Sequence, residues 1–254
     1  FGKGILKNLP IINQNYCDKS EILEDKARQI SQNNKKLDSL NLDIQDYLFN
    51  YENDRTISEL YNPISGLSNT IITKTSSDKK SLRIGRIEFE YDKNDLILNV
   101  SARYKPKNPE EFKDLDLWGY TETELITSMK FTGSEKELAL IREFTKLAVD
   151  KGGGFANFRE KATKTMSILD RLEKITLPKL SDVEKGLDKY LEQKEEAERL
   201  KEDIKETDHM IDAIVFDLYD LTEEEVEIVL DSLDTDEVEK GDILNKFREI
   251  NNSE

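Results

Sequence analysis

Apolar residues recur at alternating steps of three and four in two long polar segments of the chain. In the first segment they are Leu23, Ala27, Ile30, Leu37, Ile44 and Leu48. In the second segment they are Val183, Leu187, Tyr190, Ala197, Ile204, Ile211, Val215 and Leu218. This heptad rhythm is typical of helices that pair along one narrow apolar seam. It predicts two long helices, which we call the stem helices, over residues 18–48 (broken near Asn33-Asn34) and 181–219.

Each stem helix is preceded by a Leu-Pro pair, Leu9-Pro10-Ile11 in the first case and Leu177-Pro178-Lys179 in the second. A repeated plan of this kind, with a different segment between the copies, indicates a mount that holds a reading domain. Because the chain leaves the stem and rejoins it, we expect residues 20–48 to pack on residues 183–218 in an antiparallel or mixed manner. The plan does not indicate an enzyme core.

The segment between the stem helices has the pattern of a β-rich domain. Asn62-Pro63 and Gly66 mark its beginning, and β-branched residues gather over residues 70–73. Residues 82–104 predict a hairpin around the turn at residues 92–95. Its alternating apolar residues are Ile87, Phe89 and Tyr91 on one arm and Leu96, Leu98, Val100 and Ala102 on the other. A further strand is predicted over residues 124–131.

Helix start and stop signals complete the predicted fold. Capping boxes occur at Ser134-x-x-Glu137, Ser181-x-x-Glu184 and Thr222-x-x-Glu225, and Gly152-Gly153-Gly154 ends the helix over residues 134–150. Short helices are expected over residues 155–172, and the last twenty residues are expected to fray.

The predicted fold class is therefore α+β, with two long heptad helices forming a coiled-coil-like stem that flanks a β-rich, hairpin-containing recognition domain, and with a short C-terminal helix. We divide the chain into four parts: a leading segment with the first stem helix (1–61), a mixed β/α recognition domain (62–172), the second stem helix (173–221), and a short helix with an acidic tail (222–254).

Composition suits long exposed helices, because 36% of the residues are charged and only 36% are hydrophobic. The net charge of −16 argues against nucleic acid as a partner. However, residues 181–254 carry 26 acidic and 9 basic side chains, which leaves residues 1–180 with a net charge of +1. The middle of the chain therefore remains compatible with a phosphate backbone.

Other features of the sequence bear on the cellular compartment and on the extent of the chain. The single cysteine, Cys17, agrees with a reducing cytoplasm, and no apolar run approaches the ~20 residues that a membrane span needs. Since residue 1 is Phe and Gly2-Lys3-Gly4 resembles the end of a longer segment, we expect a fragment or a processed chain.

Catalytic and metal-binding patterns are weak. His209 and Cys17 are each the only residue of their type, and we interpret them as an exposed or seam-edge histidine and a partly buried thiol. Asn62-Pro63-Ile64-Ser65 lacks the second proline and the aromatic residue of the Asn-Pro-Pro-Tyr/Phe motif of adenine methyltransferases. Glu88 and Glu90 lie on a strand in alternation, as on a solvated face. We therefore predict no catalytic residue and no metal site in this chain.

Basic and aromatic residues in the middle of the chain are the candidates for contact with DNA. Arginine can make a bidentate contact with guanine, while lysine positions the backbone and aromatic rings can stack. Such residues are also commonly solvated partners of nearby acids. The candidate residues are Lys79, Lys80, Arg83, Arg86, Arg103, Lys105, Trp118, Tyr120 and Lys164.

A more specific signal lies in residues 204–226, IKETDHMIDAIVFDLYDLTEEEV. This run resembles the C-terminal signature of prokaryotic restriction–modification methyltransferases, in which a helix ends in Thr-Asp-x-x-Ile-Asp-x-x-Val-Tyr-x-Leu-Tyr-Gly-Leu-Thr-x-x-Glu. Phe216 replaces the first Tyr and Asp220 replaces the Gly, a position that suits a left-handed residue and that Asp tolerates. The Leu9-Pro10-Ile11 segment, residues 118–124, and residues 162–165 with 169–172 are also similar to one branch of the family.

The resemblance implies the target-recognition region that follows the catalytic core of a type IIG-like adenine-N6 DNA methyltransferase. It implies double-stranded DNA and the upstream methyltransferase domain as partners, and S-adenosylmethionine as the cofactor of the parent protein, with no cofactor in this segment. The family's catalytic motifs are absent here, although the parent could also cleave DNA. The stem helices could additionally pair between two copies as a dimer. The alternative is a protein-interaction module, in which a coiled coil carries a small α+β domain.

Overall fold

The computed structural model describes residues 17–75, 78–152 and 166–251, and it confirms the α+β class. Leu9-Pro10-Ile11, Lys164 and the helices expected over residues 155–165 lie outside the described residues. The chain divides into two compact units. The helical unit contains the described residues up to Leu42 together with those from Leu191 onward, and the sheet unit contains Asp43–Tyr190.

The helical unit begins with α1 (Cys17–Ser39), whose burial follows a heptad. From residue 19 to residue 39, the side chains that are not exposed are Lys19, Leu23, Lys26, Ile30, Asn33 and Leu37. Two details of the prediction are wrong. The seam contains Lys26 instead of Ala27, and α1 is continuous through Asn33, which is buried within it. The helix ends at Ser39, and α2 (Gln45–Leu48) follows separately in the sheet unit.

The longest element is α5 (Leu180–Leu218), a helix of 39 residues whose part from Leu191 onward belongs to the helical unit. In that part, the residues at alternating three- and four-residue steps are buried or half-buried: Ala197, Leu200, Ile204, Thr207, Ile211, Ile214 and Leu218. At the end of this row, Lys19 Nζ of α1 lies 2.5 Å from Asp217 Oδ2 of α5. The beginning of α1 therefore meets the end of α5.

The C-terminal residues form a small helical core of their own. Helix α6 (Glu223–Ser232) starts at the predicted capping box of Thr222, and α7 (Glu237–Asn251) follows it. Buried side chains from the end of α5, from α6 and from α7 pack together: Ala213, Val226, Leu230, Ile243, Leu244 and Phe247. The expectation of a frayed tail is thus wrong for residues 237–251, because the spacing of Ile243, Leu244 and Phe247 gives α7 an apolar face.

The end of α5 bears out the expectation for Asp220, whose φ is +55°, in the left-handed region. The amide of Asp220 donates to the carbonyl of Asp217, and the amide of Leu221 donates to the carbonyl of Phe216. These two bonds form a Schellman motif, which satisfies carbonyls that the helix end would otherwise leave without partners.

The sheet unit contains an antiparallel sheet in the order β2-β6-β4-β3, with β5 also paired to β4. The strands are β2 (Tyr61–Pro63), β3 (Lys79–Asp92), β4 (Asp95–Pro106), β5 (Thr121–Glu122) and β6 (Ile126–Thr132). The predicted hairpin is confirmed, because Phe89 pairs with Leu98 and Tyr91 with Leu96 around a turn closed by Asp92 and Asp95. The further strand is confirmed as β6, whereas residues 70–73 form turns instead of a strand.

Helix α3 (Glu135–Lys151) covers one face of this sheet. It starts at the predicted capping box of Ser134, and Gly152 caps its end. The guanidinium of Arg142 lies over Tyr91, and the ammonium of Lys146 lies over Phe89. Six side chains of β4 and β6 on the same face as these rings are fully buried, so this face holds the core: Leu96, Leu98, Val100, Ala102, Met129 and Phe131.

The start of α5 is held by a second, two-stranded sheet, formed by β1 (Asn53–Thr56) and β7 (Thr176–Pro178), with α4 (Ile168–Glu173) before it. The capping box predicted at Ser181 is wrong, because the helix already begins at Leu180. Gly186 of α5 then lies directly against the backbone of Tyr47, and a Cβ at this position would be 1.9 Å from the Tyr47 carbonyl oxygen. The ring of Tyr47 packs edge-on against Tyr190 one turn further along.

Candidate nucleic-acid interface

Cations face each other directly across the β3–β4 ladder. Arg83 pairs with Arg103, and Lys80 pairs with Lys105. Residues paired in this way share one face of a sheet with their Cβ atoms about 5 Å apart, and like charges in such pairs are destabilising. The two pairs lie on the face opposite to the buried Ala102. Two consecutive repulsive pairs on the outer face are therefore an unfavourable feature that a bound anion would relieve.

The ring of Tyr120 brings three of these cations together. The guanidinium carbons of Arg83 and Arg103 lie 5.2 and 4.9 Å from the ring centroid, and Lys105 Nζ lies 4.8 Å from it. Tyr120 is only 9% exposed. Cation–π attraction to a ring is worth about 0.5–2 kcal/mol for each cation, which offsets part of their mutual repulsion. We call Arg83, Arg103 and Lys105 the cationic cluster.

The loop that carries Tyr120 is fixed by the carboxylate of Asp116. One oxygen of this carboxylate accepts from the amides of Trp118 and Tyr120 at 2.9 and 2.8 Å, and the other accepts from Arg103 of the cationic cluster. The amides of Asp116 and Gly119 also donate to the carbonyls of Tyr120 and Asp116 within the loop. Gly119 has a φ of +77°, which glycine adopts without strain. The loop is therefore closed by hydrogen bonds at both ends.

The two residues at the tip of this loop point into solvent. Leu117 is 96% exposed and Trp118 is 69% exposed, although both are large and apolar. A tryptophan usually buries most of its surface in a folded protein. An exposed Leu-Trp pair beside clustered cations is typical of a binding surface.

A β-bulge places Arg86 at the edge of the same surface. The register of β3 against β4 shifts between Ile84 and Ile87, and the Arg86 amide donates to the hydroxyl of Ser101 at 2.7 Å. Arg86 Nε also donates to Glu122 Oε1 at 3.0 Å. Gly85 makes the bulge possible, because a Cβ there would lie 2.4 Å from the Ser101 hydroxyl. Glu122 thus neutralises Arg86 locally, as Asp116 does for Arg103.

A buried arginine adds to the positive potential of the surface. Arg171 of α4 is 1% exposed and donates to the carbonyl of Leu82, beside Arg83. Burial lowers the pKa of Arg171 first, and the positive charge of Arg83 lowers it further. An open cavity of about 390 Å³ lies next to the cluster and is lined by Arg83, Arg86, Arg103, Glu122, Val149 and Asp150, with Ile84 and Gly85.

The structure brings most of the candidate residues from the sequence onto one surface. Arg83, Arg103, Lys105 and Tyr120 are in contact, Trp118 is on the same loop as Tyr120, and Lys80 is paired to Lys105. Lys79 lies apart, with its ammonium 5.6 Å from the ring centroid of Tyr104. Arg86 is held by Glu122, and Lys164 lies outside the described residues.

Sequence reasoning missed Asp116, Leu117, Gly85 and Arg171 as parts of this surface. The pattern Asp-x-x-Gly around Trp118 was a usable signal, because Asp side chains commonly close turns of this kind over their own backbone. The sequence around Gly85 and Arg171 gave no sign of their roles, because their partners are distant in the chain. Gly85 leaves space for the Ser101 hydroxyl, and Arg171 donates to the Leu82 carbonyl.

The remaining candidate chemistry lies in the helical unit. His209 is buried, so the expectation of an exposed histidine is wrong, and its Nε2 lies 3.2 Å from Glu239 Oε1 of α7. The side chain of Cys17 is not among those described. Within residues 17–75, 78–152 and 166–251 there is no group of histidine, cysteine and carboxylate side chains that could hold a metal ion. No helix of the same ranges is long and apolar enough to cross a membrane.

Comparisons of the chain with family models, with curated proteins and with solved structures found no match. The fold and the site define an α+β protein with a cationic and aromatic surface on the outer face of its main sheet. The chemistry of that surface therefore carries the functional assignment.

We expect acid to loosen this surface, because two of its carboxylates have lowered pKa values. The Tyr120 amide, then Arg103 and the Trp118 amide, hold the pKa of Asp116 below its usual value of 3.8. Burial raises the pKa of Glu122, but hydrogen bonds from Ser101 and Arg86 outweigh it and leave the pKa lowered. A lowered folded-state pKa gives stability that is present above the unfolded pKa and is lost as pH falls through the folded value.

Since Trp118 is the only tryptophan of the chain, its emission reports this change. The emission should stay constant from pH 7 down to about pH 5 and should change only below about pH 4. Asp116→Asn, which keeps an acceptor oxygen but has no carboxylate to protonate, should weaken or remove the acid step. A change centred near pH 6 would contradict this role of Asp116.

Proposed function

We propose that this chain is the DNA sequence-recognition region of a restriction–modification adenine-N6 DNA methyltransferase and that it is itself non-catalytic. The observation that carries the proposal is the pair of like-charge contacts, Arg83 with Arg103 and Lys80 with Lys105, on one outer sheet face. Among the described residues, neither Lys80 nor Lys105 forms an ion pair. Asp116 pairs with Arg103 and Glu122 with Arg86, and a phosphate backbone would supply negative charge for Lys80 and Lys105.

The arrangement also fits the two tasks of a sequence reader. Lysines such as Lys80 and Lys105 set the position of the protein on the phosphates, and arginines at a sheet surface can reach the guanine edge in the major groove. The β3–β4 hairpin carries both kinds of residue on one face, although β4 is also paired with β5 and β6 and the hairpin is not a free ribbon.

The charge of the rest of the chain limits where DNA can bind. Residues 181–254 carry a net charge of −17 from 26 acidic and 9 basic side chains, so this part of the protein repels a polyanion. DNA binding should therefore be confined to the sheet unit. In this proposal the helical unit acts as the mount, with α1 and the second half of α5 pairing as an antiparallel stem. The heptad burial of both helices and the ion pair of Lys19 with Asp217 support that pairing.

The link to methyltransferases rests on the resemblance of residues 204–226. The left-handed Asp220 supports it, because the family has glycine at this position and glycine favours the same conformation. Catalysis and S-adenosylmethionine binding then belong to an upstream domain of the parent protein, which is also the partner of this chain. An enzyme that must extrude one adenine needs a reader in fixed register with its catalytic pocket.

A coiled-coil module that binds another protein is the second candidate. The heptad seam of α1 favours it, because such seams are widely used for helix pairing between chains. A module that binds another protein would not require pairs of cations that face and repel each other on the sheet.

Enrichment from a pool of random duplexes tests the proposed function. The whole chain is incubated with the pool near 150 mM salt, and bound duplexes are recovered and sequenced over several rounds. A recognition region should enrich one motif, because specific sites bind roughly 10³-fold or more tighter than other DNA. Binding without an enriched motif would reduce the proposal to a general DNA-binding module. Absence of binding, with recovery of a protein partner after nuclease treatment, would favour the second candidate.

A further inference from the structure

The tip of the 116–120 loop has a form that phosphate binding alone does not explain. Contacts with phosphate need only cations and amides, but the outermost side chains of this loop are Leu117 and Trp118. Holding two large apolar side chains in water is unfavourable unless a partner covers them. The partner must therefore offer an apolar or aromatic surface in addition to negative charge.

The position of the loop restricts what that partner can be. Asp116 binds the Trp118 amide and Arg103 with the two oxygens of one carboxylate, so the base of the tip is tied directly to the cationic cluster. Tyr120, two residues beyond Trp118, is the ring that the three cations surround. The apolar tip and the cations thus face a partner that carries flat aromatic groups close to regularly spaced negative charges. Nucleic-acid bases and their phosphates have this chemistry.

The hydrogen bonds of the loop also prepare it for binding. The loop backbone is held by Asp116 and by the left-handed Gly119 before any partner arrives. Less conformational entropy is lost when a preordered side chain binds, so more of the stacking energy appears as affinity. A loop that only linked β4 to β5 would not need five hydrogen bonds involving Asp116.

We propose that Trp118 and Leu117 form a wedge that enters the base stack of bound DNA, while Arg103 and Lys105 hold the flanking phosphates. The wedge rests on the proposed DNA binding and specifies its mode. Apolar side chains inserted at a base step unstack it partly and kink the duplex. Flexible pyrimidine–purine steps are the ones that deform most easily, so the wedge should favour them.

Because Trp118 is the only tryptophan, its fluorescence tests the wedge directly. The whole chain is titrated with a duplex that contains 2-aminopurine, and anisotropy of a separate dye reports binding on the same samples. We expect quenching of Trp118 emission together with an increase in 2-aminopurine emission at one step. Trp118→Ala should weaken binding about 5- to 100-fold with an unchanged salt dependence, and Trp118→Phe should restore part of the affinity.

A matched pair of leucines provides the control. Leu117→Ala should weaken binding, whereas Leu233→Ala, an equally conspicuous exposed leucine of the helical unit, should not. Normal binding with unchanged Trp118 emission and a fully active Trp118→Ala variant would overturn the wedge and leave the proposed function standing. Failure of the wild-type chain to bind any duplex would overturn the proposed function itself. A blue shift of Trp118 with anionic vesicles but not with DNA would also overturn the wedge.

Discussion

Gly186→Ala should destabilise the protein by about 2–4 kcal/mol, although the same change in an open helix is stabilising. The new methyl group would lie 1.9 Å from the carbonyl oxygen of Tyr47, which is backbone and cannot rotate away. Helix α5 would have to shift away from Tyr47 and disturb the packing of Tyr47 on Tyr190. Chemical denaturation followed by circular dichroism measures the loss of unfolding free energy.

Gly241→Ala is the matched control, because Gly241 also lies in a helix, α7, and a Cβ there would meet no atom within 4 Å. It should stabilise the protein by about 0.5–1 kcal/mol through the helix propensity of alanine. Opposite signs for the two variants would identify the close approach at Tyr47 as the cause. Equal effects would contradict it.

Replacing the cationic cluster should remove most DNA binding. The triple variant Arg83→Gln, Arg103→Gln and Lys105→Gln keeps polar side chains around Tyr120 but loses three positive charges. We expect affinity for duplex DNA near 150 mM salt to fall roughly 100- to 1,000-fold, since each lost phosphate contact weakens binding about tenfold at this salt. Fluorescence anisotropy with a labelled duplex measures the change.

A triple variant of α1 makes the same change in net charge within the helical unit. Arg28→Gln, Lys35→Gln and Lys36→Gln affect three exposed side chains of the helical unit. Their effect on affinity should stay within about threefold, because the proposal confines DNA contacts to the sheet unit and salt screens charges that do not contact DNA. A similar loss in both triple variants would show that DNA responds only to overall charge.

The hairpin and the heptad helices could be predicted from the sequence because their signals are local. Alternation of Ile87, Phe89 and Tyr91 against Leu96, Leu98 and Val100 fixes both the strands and their shared turn. The heptad of α1 was equally visible, although Lys26 takes the seam position assigned to Ala27, because a lysine can bury its aliphatic chain and keep its ammonium in water. Helix α7 was missed because its three buried residues lie among many charges.

The surface could be predicted only in part. Its basic and aromatic residues could each be identified in the sequence. The pairing of Arg83 with Arg103, however, depends on the register of β3 against β4. Two register shifts in that ladder, beside Ser81 and at Gly85, decide which cations face each other. A shift of one residue moves every later side chain of the strand to the opposite face of the sheet. Alternation alone does not reveal such bulges.

The dependence of DNA affinity on salt tests the central claim most directly. If Lys80, Arg83, Arg103 and Lys105 each neutralise one phosphate, the logarithm of the association constant should fall with the logarithm of salt concentration at a slope of about −3 to −4. The triple variant of the cationic cluster should retain a slope of about −1, and the α1 variant should keep that of the wild type. A wild-type slope near zero, or identical slopes for the wild type and the cationic-cluster variant, would contradict DNA binding by this surface.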